Sequence, residues 1–136
     1  MAIAKGHMVA GIGVDMVDVA AFADCVRDSG DDYLKRIFTE KEMEYCDSVA
    51  DSMESYAARL AAKESAMKAL GTGWDQGLDW HDFEILDKAS GEPVMTVSGK
   101  AAELLNARSI STVWVSLSHV ANYAVAYVMF ERTSSS

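Results

Sequence analysis

Residues 56–70 favour an α-helix that has no broad polar face. Most of these residues are strong helix formers, and Gly71 provides a glycine stop directly after them. A helix that is apolar nearly all round is normally buried. A chain of 136 residues is long enough for one such core but too short for two, so we expect a single domain over residues 1–136 built around this helix.

Four charged side chains interrupt the predicted helix. Glu64 and Lys68 share one face, one turn apart, while Arg59 and Lys63 lie on another side. Small and apolar residues surround Glu64, and a desolvated carboxylate needs a partner or a cation. Two interpretations remain open from the helix alone. One is a structural Glu–Lys pair worth roughly 0.2–0.5 kcal/mol, and the other is a functional carboxylate.

Composition excludes several classes of protein. Half of the residues are hydrophobic, which indicates a globular chain, and no apolar run approaches the roughly 20 residues of a membrane span. A formal charge of −9 argues against a nucleic-acid binder. Cys25 and Cys46 have no metal-ligand spacing, and no secretory signal is recognisable, so we expect a cytoplasmic location.

The remaining elements predict an α+β fold with a small antiparallel sheet packed on the central helix and shorter helices. Residues 1–7 are expected to be a disordered or added leader. The predicted strands are residues 8–14, 83–86, 94–97, 112–117 and 123–130, and the other predicted helices are residues 17–26, 39–49 and 100–107. Residues 123–130 are apolar on both faces, which is typical of a central strand.

Two polar residues stand at predicted strand ends. Asp15 follows Gly11 and Gly13, which lack side-chain bulk and so allow another backbone or a ligand to approach closely. An aspartate in this position is most often a cap or turn residue. His119 lies in the predicted turn between the last two strands, and a single histidine there is more often structural than catalytic. Taken singly, both residues have structural explanations.

Taken together, several ordered motifs resemble those of the 4'-phosphopantetheinyl transferase superfamily, of the holo-[acyl-carrier-protein] synthase type. The resemblance covers residues 8–131. The motifs are Gly11-Ile-Gly-Val-Asp15, Arg36-Ile-Phe-Thr39 with Glu42, the signature Arg59-Leu-Ala-Ala-Lys-Glu-Ser-Ala-Met-Lys-Ala-Leu-Gly-Thr-Gly73, Gly91-Glu-Pro93 and Val115-Ser-Leu-Ser-His119.

The resemblance implies an enzyme that moves 4'-phosphopantetheine from coenzyme A to a serine, with release of 3',5'-ADP. The acceptor would be an apo acyl carrier protein or a carrier domain of a fatty-acid or polyketide synthase. The implied fold is that of the superfamily. In this sequence Asp15 and Glu64 match the Mg²⁺ ligands, and Glu64, Lys68 and His119 match the catalytic positions. The identity of the general base stays open.

The resemblance also implies how coenzyme A is bound. Gly71 and Gly73 would let the backbone approach the nucleotide, Pro93 would lie near its base, and Lys68 and His119 would contact its phosphates. Arg59 and Lys63 are candidates for further phosphate contacts, and structural ion pairs explain these two residues equally well. The implied assembly is a homotrimer with coenzyme A in clefts between neighbouring subunits.

One departure from the family pattern concerns the carrier. Many members carry an arginine on the first helix that grips acidic residues of the carrier, whereas residues 17–22 offer alanine there. We expect the partner to be a carrier domain of a larger synthase rather than a very acidic free carrier, with Arg27 or Arg36 as a substitute contact. Two other functions remain: a catalytically silent coenzyme A-binding assembly module of a synthase, and a metal-dependent hydrolase of a nucleotide pyrophosphate.

Overall fold

The computed structural model describes residues 6–73 and 76–133. Its elements are β1 (His7–Asp18), α1 (Val19–Ser29), α2 (Asp31–Ile37), α3 (Glu40–Ser48), α4 (Ser52–Leu70), a 3₁₀ turn (Trp80–Asp82), β2 (Phe83–Asp87), β3 (Pro93–Val97), α5 (Gly99–Ala107), β4 (Thr112–Val120) and β5 (Tyr123–Thr133). The predicted α+β class is confirmed. Most of the expected leader, residues 1–5, lies outside the described residues, whereas His7 already begins β1.

The main sheet is antiparallel with the strand order β1-β5-β4, so β5 is central as its apolar pattern predicted. The prediction that the first strand ends at Asp15 is wrong. Asp15 pairs with Ala126 in mid-strand, and β1 continues to Asp18 opposite Tyr123. Residues 16–18 extend the strand because β5 is long enough to pair with them. A local sequence pattern does not show how long the partner strand is. The strands predicted at residues 83–86 and 94–97 are present as β2 and β3, which pair as an antiparallel hairpin.

Helix α4 is the buried centre of the fold, as its lack of a polar face predicted. Most of its residues from Tyr56 to Leu70 are buried, and it ends at Gly71 in the left-handed conformation. One side of α4 packs on the inner face of the main sheet and on the β2–β3 hairpin. The other side packs on α1, α2 and α3.

Gly11 and Gly13 allow β1 to touch α4 directly, which confirms the close approach expected from their small size. A Cβ atom on Gly13 would lie 1.8 Å from the carbonyl oxygen of Ser65, and one on Gly11 would lie 2.2 Å from that of Ala69. The Ser65 hydroxyl lies 3.0 Å from the Ala126 carbonyl oxygen and so connects α4 to β5 as well. These contacts fix the short distance between β1 and α4.

Two local predictions need correction. The sequence pattern did not predict α2, because it is a short helix whose two buried residues, Leu34 and Ile37, give too little periodicity to recognise. The turn expected at residues 118–122 is shorter, since β4 runs to Val120 and only Ala121 and Asn122 connect it to β5. By contrast, the helix predicted at residues 39–49 is present as α3, and a capping box between Thr39 and Glu42 stabilises its start.

The outer face of the main sheet is apolar and exposed. We define this outer sheet face by Ile12, Val14, Met16, Trp114, Val120, Tyr123 and Tyr127. These side chains alternate with the inward-facing residues of β1, β4 and β5 and pack on no helix of the described chain. Across the described residues, no helix is long and apolar enough to cross a bilayer.

Candidate active site

A cluster of three charged side chains lies where β1 crosses the C-terminal half of α4. The Lys68 Nζ atom donates to Asp15 Oδ1 at 3.0 Å, and Glu64 lies one helical turn before Lys68. The Asp15 side chain is 14% exposed and the Lys68 side chain 58% exposed. The structure thus brings together three of the residues that the resemblance singled out, Asp15, Glu64 and Lys68.

The two carboxylates in this cluster hold protons very differently. Burial and, to a smaller extent, the nearby Asp15 carboxylate together raise the pKa of Glu64 to about 8. Burial opposes ionisation of Asp15 too, but its contacts with Glu64 and Lys68 outweigh that effect and lower its pKa. Near neutral pH the pair therefore carries about one negative charge, because two close carboxylates do not ionise together without a cation.

The chemistry of this pair suits a divalent cation. Asp15 Oδ2 is buried and meets no lysine, arginine or backbone N–H donor among the described residues. A cation such as Mg²⁺ would satisfy this oxygen, and Mg²⁺ commonly takes one or two carboxylates and completes its shell with water and substrate phosphate. No group of three or more His, Cys, Asp or Glu side chains with metal-binding geometry occurs in the described part of the chain. At this cluster the protein would supply two ligands, Asp15 and Glu64, with substrate and water completing the shell.

An open cavity of about 430 Å³ adjoins the cluster, and we call it the large cavity. It extends past the C-terminal end of α4. The residues lining it are Glu64, Met67, Lys68, Gly71, Thr72, Gly73 and Gln76. Both predicted backbone contacts, Gly71 and Gly73, are among them. The lining therefore combines a carboxylate, an ammonium group and exposed loop backbone.

Arg108 supports this end of α4 and was not predicted. Its Nη1 atom donates to the Leu70 carbonyl oxygen at 2.7 Å, which satisfies one of the free carbonyl groups in the last turn of the helix. Arg108 comes from the C-terminal cap of α5, 38 residues away in the sequence. No spacing rule links the two positions, so the sequence carried no signal for this contact.

A second, smaller cavity of about 190 Å³ reaches Glu64 from the other side. Its walls come from α2, α4 and the 3₁₀ turn. The residues lining it are Tyr33, Arg36, Ile37, Leu60, Glu64 and Trp80. Glu64 therefore borders two cavities, one that it shares with Lys68 and one that it shares with Arg36.

Arg59 and Lys63 have structural roles in this chain. Lys63 is fully buried, and its Nζ atom lies 2.8 Å from Glu42 Oε1 and donates to the carbonyl oxygens of Trp80 and Phe83. Burial lowers the pKa of Lys63 despite the attraction of Glu42. A phosphate cannot reach that atom without disrupting the core, so the structure contradicts a phosphate contact by Lys63 and supports the ion-pair alternative.

Arg59 is only 3% exposed and bonds both to the β2–β3 hairpin and to Ser55 of its own helix. Its Nε atom donates to the Ile85 carbonyl oxygen at 3.1 Å, and its Nη2 atom lies 3.4 Å from Asp87 Oδ1. Its guanidinium also stacks on the ring of Tyr45, 4.6 Å from the ring centre. These contacts again favour the structural alternative, although Arg59 does contribute to the wall of a further cavity.

The other predicted residues, His119 and Pro93, line the same cavity as Arg59. It has a volume of about 410 Å³ and lies near the N-terminal end of α4, and we call it the His119 cavity. His119 Nε2 lies 3.0 Å from Glu54 Oε1. Glu54 and Lys68 are about 21 Å apart along α4, from a rise of about 1.5 Å per residue. No described residue lines both the large cavity and the His119 cavity.

Within one chain, therefore, His119 and Pro93 do not join the cluster of Asp15, Glu64 and Lys68. A family model described as the 4'-phosphopantetheinyl transferase superfamily matches residues 11–128, which include both groups of residues. The chain belongs to this superfamily. The resemblance seen in the sequence motifs is thereby confirmed.

Curated relatives within the superfamily match nearly the whole chain. A holo-[acyl-carrier-protein] synthase of Koribacter versatilis is 44% identical over 124 residues, covering 91% of this chain and 99% of the relative. One of Geobacter sulfurreducens is 43% identical over 125 residues, covering 92% of this chain and 99% of the relative. Neither relative contains a large region that has no counterpart in this chain.

Solved structures of the superfamily share the fold. The holo-[acyl-carrier-protein] synthase of Neisseria meningitidis superposes with a TM-score of 0.83 at 28% identity, covering 90% of this chain and 98% of that one. The enzyme of Helicobacter pylori, crystallised in complex with coenzyme A, gives a TM-score of 0.76 at 29% identity over 90% and 99% of the two chains. The expected superfamily fold is therefore confirmed.

Proposed function

We propose that this protein transfers the 4'-phosphopantetheine group of coenzyme A to a serine of an apo acyl carrier protein or carrier domain and releases 3',5'-ADP. The observation that carries the proposal is the cluster of Asp15, Glu64 and Lys68 beside the large cavity. Two further findings support it: the relatives named holo-[acyl-carrier-protein] synthase, and the related structure that contains coenzyme A.

We infer that Asp15 and Glu64 hold Mg²⁺ in the working enzyme. When bound, the ion would offset the negative charge of the coenzyme A pyrophosphate as the serine attacks. Lys68 is half exposed and its ammonium group can move from Asp15 towards the leaving phosphate, where it would stabilise the departing 3',5'-ADP. The serine proton must pass to a base as the new phosphorus–oxygen bond forms, and Glu64 is one candidate for that base.

Intact-mass spectrometry of apo carriers tests the reaction. A carrier incubated with the protein, coenzyme A and Mg²⁺ should gain one phosphopantetheine group, and EDTA should prevent the gain. Absence of transfer to every carrier tried, with coenzyme A still bound, would favour the silent binding module instead. Retention of all three cluster residues argues against that alternative, because a binding module needs neither the metal ligands nor Lys68.

Lys68→Ala is expected to lower kcat by about 100-fold and to change the affinity for coenzyme A much less, because the charge acts on the leaving group. Steady-state kinetics with coenzyme A as the varied substrate measure the two effects separately. The control is Lys41→Ala, which removes an exposed lysine of α3 outside the large cavity. Equal losses in kcat and affinity for Lys68→Ala would reduce its role to simple binding.

The missing arginine on α1 concerns the choice of carrier. The helix offers only Arg27, and its guanidinium is paired with Asp24. Arg36, in contrast, lines the smaller cavity beside Glu64. We propose that the protein acts in the cytoplasm. We also propose that its partner is a carrier domain of a fatty-acid or polyketide synthase. Similar modification rates for such a domain and for a free, very acidic carrier would contradict this preference.

We further propose that the working unit is a homotrimer. The outer sheet face provides an apolar surface for subunit contacts, and the separation of His119 from Glu64 supports a site completed by a second copy. In such a site, coenzyme A would contact Lys68 and the glycine loop of one subunit and His119 and Pro93 of another.

Val14→Asp is expected to convert the trimer to monomers of about 14.7 kDa and to abolish transfer, because it places a charge in the apolar contact. Val14 is more than half exposed in the single chain, so the monomer should remain folded. Sedimentation velocity at micromolar concentration measures the change, and Thr96→Asp on the exposed side of the hairpin is the control. A parent protein that sediments as a monomer would overturn the trimer.

A further inference from the structure

The His119 cavity is lined by more acidic than basic side chains. Asp51, Glu54 and Asp87 contribute carboxylates, whereas Arg59 and His119 are the only basic residues among the described residues that line it. The carboxylates outnumber the cations in either protonation state of His119. This balance bears on the substrate, because the proposed homotrimer brings one end of coenzyme A to this cavity.

Both basic side chains already have partners within the chain. All three guanidinium nitrogens of Arg59 donate to the protein, including Nη1 to the Ser55 carbonyl oxygen at 3.3 Å and Nη2 to Asp87 Oδ1 at 3.4 Å. Only 3% of Arg59 is exposed, so little of its charge is open to the cavity. His119 Nε2 lies 3.0 Å from Glu54 Oε1. A phosphate would have to compete with carboxylates for either residue.

The positive end of α4 lies at the same cavity, but its charge is already offset. The N-terminus of a helix carries partial positive charge and favours an anion. Asp51 occupies the N-cap position of α4 and Glu54 lies in its first turn. A further anion would therefore gain little from the helix, and both side chains would repel it.

The large cavity of a neighbouring subunit would not supply the missing charge. Lys68 is the only basic side chain among the described residues that line it, and the proposed function assigns Lys68 to the leaving phosphate of the pyrophosphate. The described walls of the two cavities therefore leave no free basic side chain for a second phosphate group at the nucleotide end.

We propose that the protein accepts 3'-dephospho-coenzyme A as a donor with an efficiency comparable to or higher than that of coenzyme A. The two donors differ only at the ribose 3'-position, where coenzyme A carries a phosphate with a charge of roughly −1.5 to −2 at pH 7 and the other donor a hydroxyl group. A carboxylate repels the phosphate but accepts a hydrogen bond from a ribose hydroxyl, as acidic residues do in NAD sites. Asp51 is exposed and Glu54 partly exposed, so both can accept such a bond.

This inference rests on the proposed function and leaves its chemistry unchanged. The serine oxygen attacks the phosphorus atom next to pantetheine, and a new phosphorus–oxygen bond forms as the bond to the bridging pyrophosphate oxygen breaks. AMP leaves in place of 3',5'-ADP, and the serine proton passes to the same base. The modified carrier is identical for both donors, so the released nucleotide reports which donor was used.

A competition between the two donors tests the inference. The parent protein is incubated with an apo carrier, Mg²⁺ and equal concentrations of coenzyme A and 3'-dephospho-coenzyme A, and the initial rates of AMP and 3',5'-ADP release are measured by liquid chromatography. Their ratio equals the ratio of kcat/KM for the two donors, and 3',5'-ADP should form no more than about threefold faster than AMP. A larger excess of 3',5'-ADP would overturn the inference and leave the transferase function intact. Absence of carrier modification with either donor would overturn both.

Asp51→Lys should shift the same competition towards coenzyme A. The variant replaces an exposed carboxylate of the cavity with an ammonium group, so the ratio of 3',5'-ADP to AMP should rise by about tenfold relative to the parent. Glu103→Lys makes the same change of charge on α5, outside both cavities, and should leave the ratio unchanged. Thermal unfolding checks that both variants are folded. An unchanged ratio for folded Asp51→Lys would also overturn the inference, because the nucleotide end would then not meet this cavity.

Discussion

Glu64→Gln is expected to lower phosphopantetheine transfer by at least about 1,000-fold in a protein that stays folded. The amide keeps the size of the side chain and removes the negative charge that the proposed Mg²⁺ requires. Loss of about 4 kcal/mol of electrostatic stabilisation accounts for a change of this size, at about 1.36 kcal/mol for each tenfold in rate. Glu103→Gln, an exposed position of α5, serves as the control. Residual activity near that of the parent would refute the metal site.

The same substitution should change how stability depends on pH in the absence of metal. The pKa of Glu64 is raised from 4.5 to about 8 in the folded protein, so between these values the folded state keeps a proton that the unfolded state has lost. Stability of the parent should therefore fall as the pH rises from about 4.5 to about 8 and then level off. Glu64→Gln cannot titrate and should show a flatter profile.

Thermal unfolding in EDTA between pH 5 and pH 8.5 measures this difference, and added Mg²⁺ should restore the stability of the parent at the upper end of the range. The ion favours the ionised pair, so its effect should grow with pH. Parallel profiles for the parent and Glu64→Gln would show that Glu64 titrates normally, and its burial would then have no consequence for the site.

Gly13→Ala is expected to destabilise the fold by about 3 kcal/mol or more, the largest loss of stability that we predict for a single methyl group. The added Cβ atom would lie 1.8 Å from the Ser65 carbonyl oxygen and 2.8 Å from its carbon. Both atoms belong to the backbone of the buried helix α4, which has no room to retreat. The strand β1 must move instead, and Asp15 would move with it.

Urea unfolding of Gly13→Ala and of Val14→Ala separates this clash from a general effect on the strand. Val14 lies next to Gly13 but faces outwards, so its truncation should cost far less in the separate subunit. Transfer activity of Gly13→Ala should fall even in the folded fraction, because the distance between Asp15 and Glu64 changes. A Gly13→Ala protein as stable as the parent would show that β1 adjusts freely.

Much of the architecture could be predicted from the sequence because its signals are local. The apolar residues around α4, the glycines of β1 and the helix-forming residues of α3 each act over a few residues, and each predicted the structure that forms. The position of Asp15 in mid-strand was missed because pairing with β5 involves residues more than 100 positions away. Tertiary pairing overrides a local turn preference in such a case.

The candidate site was only partly predictable for a similar reason. Periodicity places Glu64 and Lys68 on one face, but it does not show that Lys63, the residue before Glu64, points into the core. Nor could it show that His119 lies beside Glu54, far from Glu64 along the helix. Both facts depend on which elements pack around α4, which is decided by the whole chain.

The adjacency of Lys63 and Glu64 has a consequence for the evolution of the superfamily. Lys63 and Arg59 tie α4 to the hairpin, whereas Glu64 and Lys68 face the open cavity. One motif thus combines residues that hold the fold together with residues that we propose for the chemistry. A descendant could lose Glu64 and Lys68 by two substitutions, keep its shape, and still be recognised by the rest of the motif. In such lineages the identity of residues 64 and 68 would separate enzymes from inactive descendants.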